Sequence, residues 1–102
     1  MTDERRKYPR KSVSMEVRWE GMAGKYMARV SDISLGGCFI DTIGKAETGE
    51  HLSFSILTPR GEWLALQGYV VAYDPNVGFS VIYEALTPKQ RDAVEILFNS
   101  LP

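Results

Sequence analysis

The chain has 102 residues, 44% hydrophobic and 25% charged, which fits one soluble globular domain with a modest core. No apolar run is long enough to span a bilayer, and the charged start, Met-Thr-Asp-Glu-Arg-Arg, lacks the apolar segment of a secretory signal. The single Cys38 cannot form an intramolecular disulfide, so a cytoplasmic protein is expected. The formal net charge of −1 hides an asymmetry: residues 1–30 carry eight Lys/Arg against four Asp/Glu, and residues 31–102 carry four against nine. A cationic arm on an acidic body suits a compact anion and disfavours a long polyanion.

Residues 5–11 hold Arg5, Arg6, Lys7, Arg10 and Lys11 with no acid. Pro9 has no N–H and biases Tyr8 toward extended geometry, so residues 1–11 read as a flexible basic arm. Residues 13–19 alternate apolar and polar, the pattern of a half-buried strand. Gly21 and Gly24 bracket a turn, and residues 26–31 form a second strand with Tyr26, Ala28 and Val30 on one face. The Ser34-Leu35-Gly36-Gly37 turn leads into a third strand that begins at residues 38–40. Residues 43–50 show no period and read as a loop.

Residues 52–56 alternate again and give a fourth strand. Pro59-Arg60-Gly61 turns the chain into a long fifth strand, residues 63–73, with Leu64, Leu66, Val70 and Ala72 in one register. Gly68 interrupts it and marks a bulge or bend. Asp74-Pro75-Asn76 turns into the sixth strand, residues 77–83. Thr87-Pro88-Lys89-Gln90 then reads as a helix start: Thr87 as N-cap, Pro88 at the first position, Gln90 completing a capping box. Val94, Leu97, Phe98 and Leu101 follow as one apolar stripe. The expected fold is all-β with one helix: a single domain, 1–102, made of the arm, a six-stranded antiparallel β-barrel over 12–84 and a C-terminal α-helix over 87–100.

Two segments carry chemistry. Arg6-Lys7-Tyr8-Pro9-Arg10 places two arginines where an extended arm turns both toward one ligand. The guanidinium fork matches phosphate oxygens, or the O6/N7 edge of guanine, and stacks on bases. Asp32-Ile33-Ser34-Leu35-Gly36-Gly37 places a carboxylate, a hydroxyl and a glycine corner between two strands. A carboxylate accepts from the N1–H and N2–H₂ of guanine. Each segment has a plainer reading when taken alone, as a solvated basic tail and as a chain-reversing Asx/Ser turn.

Together, in this order, R-x-x-x-R followed by D-x-S-x-x-G resembles the PilZ family, bacterial receptor domains for the second messenger cyclic di-GMP. The resemblance runs from Arg5 to the closing helix and includes Gly78-Phe79 in the last strand. It implies that Arg6, Arg10, Asp32, Ser34 and Gly37 bind cyclic di-GMP. Asp32 would meet the guanine edge, Ser34 a base or phosphate, and Gly37 would let the backbone approach. Arg5 and Gly36 are secondary contacts, Arg5 bearing on whether one nucleotide or a stacked pair is held. The resemblance also implies control of motility, surface polysaccharide, biofilm or virulence, and nothing in these residues chooses among them.

Nothing in the sequence builds a catalytic or metal site, so no enzyme activity and no cofactor beyond the nucleotide ligand are expected. His51 is the only histidine and reads as a surface residue opening the fourth strand. Cys38 reads as a small, partly buried strand residue, and Trp19 and Trp63 as core or barrel-rim packing. Tyr8 is placed either against the barrel or against a base. With no effector domain in view, output is expected through a protein partner or a change of self-association. Two rivals remain: an adaptor of the same fold that binds no nucleotide, and a small barrel for single-stranded nucleic acid. The second wants basic residues interleaved with aromatics over a face, and here the basic residues cluster in the arm.

Overall fold

The computed structural model describes residues 8–102. Six strands form: β1 (Lys11–Gly21), β2 (Gly24–Ile33), β3 (Gly37–Asp41), β4 (His51–Leu57), β5 (Trp63–Asp74) and β6 (Gly78–Tyr83), followed by helix α1 (Pro88–Ser100). They close into an antiparallel barrel in the order β1-β2-β3-β6-β5-β4. Closure removes the free sheet edges that would otherwise template aggregation.

The expected alternation is what fills the barrel. Met15, Val17 and Trp19 of β1 face Val30 of β2, Ile40 of β3, Phe54 and Ile56 of β4, Leu66 and Val70 of β5, and Phe79 and Val81 of β6 in one buried cluster. Trp19 is core rather than rim. Its ring stacks on Tyr26 at 4.5 Å and meets the edge of Phe79 at 4.9 Å, and its indole N–H donates to Thr42 Oγ1 at 3.2 Å. Trp63 stays at the surface, with the Arg18 guanidinium 4.0 Å from its ring centre. His51 opens β4 at the surface and meets Glu84 Oε1 through Nδ1 at 2.6 Å.

Alternation fails at three places, each an extra residue in one strand: β1 between Ser12 and Met15, β2 between Val30 and Asp32, and β5 between Val70 and Ala72. The bulge expected at Gly68 is therefore displaced to Val71. Gly68 keeps regular register with Tyr83, and it is glycine because a Cβ there would lie 2.4 Å from the Ile82 carbonyl oxygen. The Val71 bulge also turns Ala72 out of the register expected for it, while Tyr73 packs against the core instead. Val77 likewise leaves the sixth strand. Asn76 takes a positive φ of 67°, and Val77 N donates back to Asp74 O at 3.1 Å, closing the turn.

The helix starts as expected. Thr87 Oγ1 accepts from Gln90 N at 3.0 Å, and Gln90 Oε1 accepts from Thr87 N at 2.9 Å. Val94, Leu97 and Phe98 are buried against the barrel, with Leu101 half-buried beside them. Its far end is held by a residue expected in the arm. Lys11 opens β1 and donates through Nζ to Phe98 O at 2.8 Å and to Leu101 O at 2.9 Å, 4.3 Å from the Phe98 ring centre. A cation on the last carbonyls of a helix meets both the unpaired acceptors and the negative end of its dipole. Lys11→Met, which keeps the apolar stem, should lower stability by about 1–2 kcal/mol. Urea unfolding will show this as a lower midpoint at unchanged slope; an unmoved midpoint would mean that water serves those carbonyls equally well.

Candidate functional site

The site begins with the parity of β2. Tyr26, Ala28 and Val30 face inward, so strict alternation would drive the Asp32 carboxylate into the core. The extra residue, Ser31, reverses the parity. Asp32 pairs with Phe39 and with Ser12 on the outward side, while Ile33 is fully buried. A bulge that re-aims one side chain next to a site is a recurrent use of this feature.

The turn that follows is bound by its own serine. Ser34 is buried, and its Oγ accepts from Gly36 N and Gly37 N, both at 3.1 Å, and donates to Gly37 O at 3.2 Å. Ser34 N donates to the same carbonyl at 2.8 Å. Two bonds then fasten the turn to β6: Tyr83 N to Gly36 O at 3.1 Å, and Tyr83 Oη to Ser34 O at 3.3 Å. The hydroxyl of Ser34, expected at a base or phosphate, hydrogen-bonds within the loop beside Asp32. Gly37 likewise serves strand pairing, since a Cβ there would sit 2.1 Å from the Val81 carbonyl oxygen. At Gly36 the neighbour is different. The Tyr8 ring lies over it, with ring carbons 2.7 Å from where a Cβ would be. Of the two placements open for Tyr8, the structure takes packing against the barrel.

Arg10 and Asp32, far apart in sequence, meet. Nη1 of Arg10 is 3.3 Å from both carboxylate oxygens and donates to Oδ2. The second oxygen, Oδ1, is buried and has no hydrogen-bond partner among the described residues, because Nη1 approaches it outside bonding geometry. The two side chains are 35% and 29% exposed, so the pair itself holds little energy, about 0–1 kcal/mol. Only one of the Arg10 nitrogens is engaged among the described residues, leaving the rest of its fork for an anion. Arg5 and Arg6 lie outside the described residues.

Cys38, beneath the turn, is fully buried rather than partly so. Its thiol is pushed up to about 12, first by burial and then by the Asp32 charge. Burial also raises the Tyr83 phenol, with the neighbouring Cys38 second. These groups are structural and neutral. Among the described residues no cluster of His, Cys, Asp or Glu is arranged to hold a metal ion, and no helix is long and apolar enough to cross a membrane.

A closed six-stranded barrel with one capping helix, carrying an arginine–carboxylate pair beside a serine-bound glycine turn, defines the class of molecule. The model of the PilZ domain matches residues 4–99, and the chain belongs to that family. Among solved structures, the PilZ domain of CeSA from a cellulose-synthesizing bacterium superposes with a TM-score of 0.72 at 18% identity, over 90% of this chain and 97% of that one. The PilZ domain of YcgR from Escherichia coli, determined with c-di-GMP, gives 0.72 at 17% identity over 94% and 91%. The Bacillus subtilis inhibitor of motility, MotI/DgrA, gives 0.74 at 18% identity, over 96% of this chain but 51% of that protein, so this chain spans about half its length. No curated protein matches the sequence.

The two adjacent glycines should differ sharply on substitution. Gly37→Ala drives a methyl into backbone and should cost about 3 kcal/mol, whereas Gly36→Ala meets only the half-exposed Tyr8 ring and should cost less than about 1 kcal/mol. Thermal melts of both variants decide this. Iodoacetamide at pH 8 should leave native Cys38 unmodified and react only after denaturation. Because the native thiol stays protonated while the unfolded one ionises near its ordinary value of 9.0, stability should be intact below about pH 9 and fall between about pH 9 and 12.

Proposed function

We propose that this chain is a cyclic di-GMP receptor, with no catalytic role, that acts in the bacterial cytoplasm. The observation that carries the reading is the buried Asp32 Oδ1, an acceptor without a donor among the described residues, set beside an arginine whose fork is mostly unengaged by them. A buried carboxylate oxygen left unpaired costs about 1–3 kcal/mol, recovered when a ligand N–H fills it. Guanine offers N1–H and N2–H₂ to that oxygen, and the phosphates of the dinucleotide suit Arg10 and Arg6. Ser34 and Gly37 would complete the ligand site at the turn, with Arg5 and Gly36 as secondary ligand contacts. Membership of the PilZ family and the fold shared with the YcgR domain support the same ligand.

The relay would pass through the arm. Arg10 leaves Asp32 to take a phosphate, and Lys11, the next residue, is bonded to the end of α1. Closing the arm on ligand therefore pulls on the helix end and changes the surface offered to a downstream protein partner or to a second copy. Motility is the process that the MotI/DgrA likeness favours.

Isothermal titration calorimetry with cyclic di-GMP tests the reading. Wild type should bind. Arg6→Ala with Arg10→Ala should weaken binding at least about 100-fold, since each charge-assisted contact contributes about 1.5–3 kcal/mol. Asp32→Ala should also weaken it. An absence of binding by wild type would move the protein to the adaptor reading.

A further inference from the structure

A cleft of about 240 Å³ opens beside the 32–37 turn, bordered by Tyr8, Leu35, Gly36, Ile82, Leu86 and Arg91. Both of the chemistry-bearing segments reach it: Tyr8 lies between Arg6 and Arg10, and Leu35 and Gly36 form the tip of the turn. Asp32 and Arg10 do not line it. Its one charged wall is Arg91, in the first turns of α1, exposed and without a side-chain partner among the described residues. The remaining walls are a tyrosine ring, aliphatic side chains and the bare glycine backbone.

This combination fits a nucleobase better than a phosphate. A base has two flat faces, which a ring and aliphatic side chains cover, and a polar edge that one fork reads. The volume falls below the roughly 300–1,000 Å³ of a complete small-molecule site. The cleft therefore takes part of a dinucleotide and not the whole. Arginine paired to a base edge selects guanine, whose O6 and N7 both accept; adenine presents an N6–H₂ donor where O6 would be.

We infer that this cleft holds the second guanine of the bound dinucleotide, with Arg91 donating to its O6/N7 edge, while Asp32 receives the first. Arg91 is then a specificity-determining residue supplied by the helix, outside both sequence segments. The inference rests on the cyclic di-GMP reading above. It also gives the helix a direct part in sensing ligand, in addition to its tie through Lys11.

The test is calorimetric titration of wild type, Arg91→Ala, Arg91→Lys and Lys89→Ala with cyclic di-GMP and with cyclic di-AMP. Lys89 is in the same turn of α1, carries the same charge and does not border the cleft. Arg91→Ala should weaken cyclic di-GMP by about 5-fold to 150-fold and narrow its advantage over cyclic di-AMP. Arg91→Lys should recover little of the loss, because a point charge cannot make the fork, and Lys89→Ala should stay within about twofold of wild type. Circular dichroism melts should show all three variants folded, since Arg91 and Lys89 are exposed. Wild type that binds cyclic di-GMP, with Arg91→Ala unchanged, overturns this inference alone. Equal losses for both dinucleotides, or an equal loss in Lys89→Ala, overturns it too, by reducing Arg91 to a diffuse charge. Wild type that binds no cyclic di-GMP removes the receptor reading and this inference together.

Discussion

Closing six short strands into a barrel gives every strand an inward face that must be apolar, and a single extra residue then decides which side chains lie on it. Ser31 is that residue in β2. Without it Asp32 would continue the row of Tyr26, Ala28 and Val30 into the interior, where an ionised carboxylate is prohibitively costly unless paired. With it Asp32 stands outside and Ile33 takes the buried place. The ion pair with Arg10, the turn and the cleft beyond it all depend on this reversal.

The turn is rigid where the ion pair is loose. The Ser34 side chain holds three contacts within its own loop, and Tyr83 fastens that loop to β6, the strand paired with β3. By contrast, Arg10 shares one nitrogen between two oxygens at 3.3 Å, a weak and partly solvated arrangement. A fixed platform thus stands beside a loosely held counterion. The neutral, buried Cys38 and Tyr83 under the turn add to the platform and take no part in exchange.

The arm and the helix, the two ends of the described chain, are joined through side chains and not through sheet pairing. Lys11 closes the helix C-terminus, and Tyr8 lies on Gly36 at the mouth of the cleft that Arg91 borders. Lys11 is thus bonded to the C-terminal end of α1, and Tyr8 shares a cleft with its first turns. The same fold persists at 17–18% identity in the CeSA, YcgR and MotI/DgrA domains, because a barrel requires inward apolar positions and turns rather than particular residues.

Local signals made most of this protein legible in its sequence. Two-residue alternation identified the first, second, fourth and fifth strands, turn residues placed the third and sixth, the Thr87–Gln90 box fixed the helix start, and the two segments around Arg10 and Asp32 pointed to the family. Such features depend on neighbours within a few positions, so a sequence read along its length displays them. Only the tertiary structure decided that Asp32 faces out, that the β5 bulge lies at Val71 and not at Gly68, and that Ser34 and Gly37 are engaged by turn and strand. It alone assigned Lys11 to the helix end and brought Arg91 to the turn. Each of these is settled by strand register or by contacts between residues tens of positions apart, and such contacts exist only once the barrel has closed.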